Sequence, residues 1–140
     1  MRTVFADAGY WIALLDERDQ LNRYAQIETQ RLEPLLIITT EMVLVEMFSH
    51  VSGAGAGNRR KASAMLARLQ ANERVKIIPQ TAQQFRAAAV RFADRPDQRW
   101  SLTDCASFLV MEERGITEAL AYDRDFEQAG FTALLRHDPS

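Results

Sequence analysis

Short apolar runs recur along this chain at residues 3–6, 35–38, 75–78 and 119–122, separated by longer stretches with helical periodicity. This alternation limits the fold more than any other feature. Apolar runs of about four to eight residues with little polar alternation suit strands buried on both faces, and a helix between two such strands is the usual parallel crossover. A further short strand is expected around residues 132–135. The chain is therefore read as α/β, with a central parallel sheet of about five strands between two helical layers, all within a single domain over residues 1–140.

The helical segments carry their own punctuation. Residues 10–15 read as one or two turns, and residues 21–32 as a more polar helix that Pro34 closes. Thr39-Thr40 supplies a capping hydroxyl for a helix over residues 41–51. The stretch "SGAGAGN", residues 52–58, is expected to be a loop. Its glycines follow a helix and do not match the G-x-G-x-x-G spacing of a dinucleotide site. Residues 59–72 are amphipathic, with Ala62, Met65, Leu66 and Leu69 on one face. Thr81 with Gln84 has capping-box spacing for a helix to about residue 93. Ser101 and Asp104 repeat that spacing before an apolar helix over residues 105–114, which Gly115 stops.

Taken alone, Asp104 is a capping acid, favoured at the positive end of a helix dipole. Its companions change that reading. Asp7 immediately follows the first strand, Glu46 interrupts the apolar run "MVLVEMF" on the helix after the second, and Asp123 immediately follows the fourth. In parallel sheets, sites form outside the carboxyl ends of the strands, and these acids converge on that edge, with Asp125 as a fifth. Clustered carboxylates repel one another unless cations neutralise them. An all-oxygen acid set suits Mg²⁺ or Mn²⁺ rather than zinc, and such ions can generate a hydroxide and stabilise charge on a phosphodiester. The acids thus point to a metal-dependent nuclease: Asp7, Asp104 and Asp123 hold metal, while Glu46 binds a second ion or positions the attacking water.

The formal charge of −2 is unpromising for a nucleic-acid binder, but acids gathered into one pocket would leave the remaining surface net positive. Arginine supplies fifteen of the seventeen basic residues and suits bidentate phosphate contacts. Arg59, Arg60 and Lys61 beside the glycine stretch, with Arg95 and Arg99, are the expected RNA-binding rim. Tyr10, Trp11 and Trp100 are candidates for stacking on bases, although Trp11 suits a core position better. Cys105 is the only cysteine, which excludes a disulfide framework and a cysteine-based zinc site. No apolar run approaches the roughly 20 residues that cross a bilayer, so no membrane association is expected. The start of the chain does not read as a secretory leader, and a cytoplasmic location is expected.

The segments "TVFADAGYWIALLD", "ITTEMVLVEMF" and "SLTDCASFLVMEERGITEALAYDRDFEQAGF" resemble the PIN-domain family of ribonucleases, particularly the VapC-type toxins of bacterial and archaeal toxin–antitoxin pairs. The likeness runs from Val4 to about Leu135. It implies a PIN-like fold and a metal-dependent site of the acids matching Asp7, Glu46, Asp104 and Asp123, supported by the hydroxyl of Thr103. An RNA substrate and a cognate antitoxin are the partners it implies, and a homodimer is compatible with it. Ala8 departs from the Thr or Ser common after the first acid in that family, removing a hydroxyl that would help orient a ligand. Two alternatives stand beside this reading. One is a protein of the same fold that binds metal or a protein partner without meaningful cleavage. The other is a receiver-like signalling domain with an acidic pocket, for which neither Lys61 nor Lys76 is well placed.

Overall fold

The structure, a computed structural model, describes residues 1–136. In chain order its elements are β1 (Arg2–Ala6), α1 (Ala8–Leu15), α2 (Asn22–Leu32), β2 (Leu35–Thr40), α3 (Glu41–Val51), α4 (Ala56–Ala71), β3 (Val75–Ile78), α5 (Ala82–Asp94), α6 (Leu102–Arg114), β4 (Glu118–Leu120), α7 (Arg124–Gln128) and β5 (Thr132–Ala133), followed by a 3-10 turn over Leu134–Arg136. The strands form one parallel sheet in the order β3-β2-β1-β4-β5. Val4, Phe5 and Ala6 have no solvent exposure, as a central strand covered on both faces requires.

Chain direction distributes the helices. From β1 the sheet grows through β2 to β3, and the chain then returns past β1 to lay down β4 and β5 on the other side. Right-handed crossovers place helices from the outward and return steps on opposite faces. Helix α1 accordingly packs with α2 and α3, and α3 with α4, while α5 packs with α6 and α6 with α7. The result is the expected three-layer α/β/α arrangement.

Several boundaries differ from the sequence expectations. Only residues 52–55 of the glycine stretch lie outside helix: Gly55, at φ 95°, turns the chain, and its carbonyl accepts the Arg59 N–H, so α4 begins at Ala56. Helix α6 begins at Leu102, three residues earlier than expected. There Ser101 accepts from the Asp104 N–H at 3.0 Å, and Asp104 Oδ2 accepts from the Ser101 N–H at 2.9 Å. Strand β4 stops at Leu120, and β5 is only two residues long. Past those points the Ala121 carbonyl accepts from Leu135 N–H and the Tyr122 carbonyl accepts from Arg136 Nη1, drawing the chain out of the ladder.

The aromatic residues proposed for stacking are structural. Tyr10 and Trp11 are buried against each other, and Tyr10 Oη is hydrogen-bonded to Thr29 Oγ1. Trp100 is only 5% exposed and packs edge-on against Phe108, which also meets Phe126 edge-on. Among the described residues no helix is long and apolar enough to cross a membrane.

Thr39, fully buried, ties the central strands to α1. Its Oγ1 accepts from Trp11 Nε1 at 3.1 Å and donates to the Ala6 carbonyl at 2.9 Å. The near-isosteric Thr39→Val would leave Trp11 Nε1 without its buried acceptor. A loss of about 1–3 kcal/mol of unfolding free energy is expected in urea titration.

Candidate functional site

The strand order brings β1 and β4 together, although more than a hundred residues separate them. Ala6 pairs with Leu120, and the Asp7 N–H donates to the Leu120 carbonyl at 3.2 Å. Asp7 and the segment leading to Asp123 therefore leave the sheet side by side. Asp7 occupies the N-cap of α1, yet its side chain makes no helix-capping hydrogen bond. Asp123 caps α7, with Oδ1 accepting from the Asp125 N–H at 3.1 Å.

Helices complete the group from both faces. Thr40 caps α3 by accepting from the Val43 N–H, and Glu46 follows after about one and a half turns. Val43, Leu44 and Met47 point into the core while Glu46 is exposed, so its charge does not bear the burial cost that its apolar sequence neighbours suggested. Asp104 is half-buried. Its Oδ2 serves the α6 cap, and Oδ1 accepts none of the described hydrogen bonds. Asp125 is only 4% exposed; its Oδ1 has no hydrogen-bond partner and lies 3.8 Å from Arg99 Nε.

Asp7, Glu46, Asp104, Asp123 and Asp125 line one pocket of about 890 Å3, whose rim also carries Arg99, Arg124 and Arg136. Thr103 is buried within α6 and does not line the pocket. Of the expected RNA-binding arginines, only Arg99 is here. Arg59 and Arg60 line a separate groove with Val45 and Phe48, where Arg59 Nη1 donates to the Ser52 carbonyl. Arg95 is committed to both carboxylate oxygens of Asp97 and lies over the Trp100 ring. Arg124 and Arg136 escaped the sequence reading. Arg124 had a local signal, standing between two site acids in "YDRDF", whereas Arg136 reaches the pocket only through the path of the last strand.

Crowding and burial set the electrostatics. Burial, opposed by the Ala8 backbone N–H and reinforced by the charges of Asp104, Glu46 and Asp123, raises the Asp7 pKa to about 7. Burial and the Asp123 charge raise that of Asp125 to about 6, against the pull of Arg99. The Asp104 pKa is raised chiefly by burial, with the Ser101 hydrogen bonds acting the other way. Hard oxygen donors that repel one another and include a buried carboxylate oxygen without a hydrogen-bond partner are chemically fitted to a divalent cation. Among the described residues, however, no three His, Cys, Asp or Glu side chains stand close enough together to hold a metal ion as they are.

Comparison with known proteins bears on this arrangement. Residues 4–132 match the family model of the PIN domain. The chain is 30% identical over 132 residues to the 23S rRNA-specific endonuclease VapC20 of Mycobacterium tuberculosis strain CDC 1551 / Oshkosh, spanning 94% of this chain and 97% of that relative. The protein of the same name from strain ATCC 25618 / H37Rv matches to the same extent. The crystal structure of Mycobacterium tuberculosis VapC20, described as a Sarcin-Ricin loop cleaving toxin, superposes with a TM-score of 0.81 at 27% identity. That alignment covers 92% of this chain and 96% of the other.

The raised carboxylates carry a pH signature. The unfolded chain releases the Asp7 proton near pH ~3.9, whereas the folded protein retains it to about pH 7. The folded state therefore binds more protons across that interval, and stability falls as pH rises through it. Thermal melts in chelator should give wild type a higher melting temperature at pH 5 than at pH 8. Asp7→Asn should reduce that difference and melt higher than wild type at pH 8; an unchanged slope would show that Asp7 is not strained in the fold.

Proposed function

The chain belongs to the PIN-domain family and is a homologue of a VapC-type endoribonuclease toxin, and on that premise we propose that it is a Mg²⁺- or Mn²⁺-dependent endoribonuclease acting as the toxin of a toxin–antitoxin pair. The observation that carries the reading is that five carboxylates line one pocket at the carboxyl edge of β1 and β4, together with three arginines. An acid cluster alone would repel RNA. Divalent cations and the rim supply the countercharge.

Asp7, Asp104 and Asp123 are the residues that would hold metal. When bound, the ion would lower the pKa of a water and offset charge on the phosphodiester. Glu46, exposed on α3 and lining the pocket, would accept a proton from the attacking water or hold a second ion. Asp125 would support the group, and its ion pair with Arg99 links the acids to the rim. Arg99 and Arg124 are exposed and suited to phosphate oxygens flanking the cut. Thr103 supports the site indirectly, through the first turn of α6 that carries Asp104. A cognate antitoxin would inhibit by covering the pocket, a basic side chain satisfying the acids in place of metal. No lysine lines the acid pocket, which leaves the receiver-like alternative without its required residue.

A panel of structured RNAs, including a hairpin of the ribosomal sarcin–ricin loop, should be cut in Mg²⁺ or Mn²⁺ and remain intact in chelator. Asp104→Asn keeps an oxygen to accept from the Ser101 N–H, so the helix cap and the fold should survive while cleavage falls by orders of magnitude. A fully active, folded Asp104→Asn protein would remove Asp104 from the chemistry. A folded wild type that cuts nothing would favour the non-cleaving alternative. Charge reversal at Arg99 or Arg124 should weaken RNA binding and reduce its salt slope by ~1 each, whereas reversal at Arg59 or Arg60 should not.

A further inference from the structure

With Tyr10, Trp11 and Trp100 buried, Tyr122 is the one aromatic residue on the lining of the acid pocket among the described residues. It lies between Ala121, which has no exposure, and Asp123, and is itself 52% exposed. An exposed tyrosine is ordinary; a braced one beside a reactive pocket is not. Arg136 places its guanidinium carbon 5.2 Å from the Tyr122 ring centroid and donates from Nη1 to the Tyr122 carbonyl at 2.9 Å. The guanidinium is itself fixed, because Nε lies 2.7 Å from Glu127 Oε1 in α7. Both the ring and the main chain of Tyr122 are thus held by one cation anchored to the helix that Asp123 caps. With one ring face under Arg136 and half the side chain still in solvent, the opposite face is what remains for a ligand.

A flat aromatic face presented beside an acidic pocket of this size suits a nucleobase. Stacking needs no particular hydrogen-bond pattern, and a ring held in advance loses little freedom on binding. Tyr122 and Asp123 line the same pocket, so a base on Tyr122 would belong to the strand whose phosphate enters that pocket. We propose that Tyr122 is the base-stacking platform of the site, gripping a nucleobase of the RNA strand that enters the acid pocket and held for that purpose by Arg136. This rests on the endoribonuclease reading above. It adds a contact to a base where that reading requires only contacts to phosphate.

The test separates base contacts from charge. In an Asp104→Asn background, which suppresses cleavage, affinities are measured in Mg²⁺ by fluorescence anisotropy for a labelled RNA octamer without self-complementarity. They are measured again for an octamer of the same length that is abasic throughout. Phosphate contacts are common to both, so the ratio of the two affinities reports on bases. Tyr122→Ala should lower that ratio by about 5- to 150-fold, the range of one lost base–aromatic stack. Tyr122→Phe should leave the ratio near that of the parent. An unchanged ratio in Tyr122→Ala, or an equal loss for both octamers, would overturn the stacking role while leaving the nuclease reading intact if wild type still cuts RNA. Failure of the parent to bind either octamer, with the RNA panel uncut, would overturn both.

Discussion

The site depends on β1 lying between β2 and β4 in a fixed register. Ala6 against Leu120 is the pairing that matters most, because the next residue on each side leaves the sheet there. The Asp7 amide is spent on the Leu120 carbonyl, which positions the start of α1 relative to the segment carrying Asp123. Thr39 secures the other flank by joining β2, Trp11 and the Ala6 carbonyl. A slip of one residue in a parallel pair exchanges the faces of every side chain. With Val4, Phe5 and Ala6 wholly buried, β1 has no tolerance for such a slip.

In the proposed site, capping and metal binding would be complementary uses of the same side chains. Asp104 gives one oxygen to the Ser101 N–H and Asp123 gives one to the Asp125 N–H, so each anion is oriented by the helix whose first turn it stabilises. For Asp104 the hydrogen bonds from Ser101 oppose the rise in pKa that burial imposes. Asp7 lacks such a helix-capping bond, and burial with the neighbouring charges raises its pKa to about 7. The strain falls on the residue at the middle of the sheet edge, where a cation would relieve it. This is the pattern of a site that trades stability for reactivity.

The arginines divide by what already holds them. Arg95 is bound to Asp97 and Trp100, and Arg136 to Glu127 and Tyr122, while Arg124 and Arg99, the latter with only a 3.8 Å ion pair to Asp125, are exposed on the rim. Charge near a pocket is therefore not one resource. Committed guanidiniums stiffen the walls, and uncommitted ones are left to meet an anionic ligand.

The sequence by itself determined what short-range patterning can encode. The apolar runs marked the strands, Thr81 with Gln84 and Ser101 with Asp104 marked helix starts that the structure forms as full capping boxes, and the positions of Asp7 and Asp123 just past strands marked the edge where a site would form. Each of these depends on residues a few positions apart. The tertiary structure decided which cations meet those acids. Trp100, beside a polar loop, became core because Phe108 and Arg95 cover it. Arg59 and Arg60 went to another groove because α4 packs on α3 away from the acids, and Arg136 entered the pocket because the 3-10 turn after β5 folds back onto Tyr122. Strand order and crossover handedness set these meetings, and both are properties of the packed sheet rather than of any local stretch of chain.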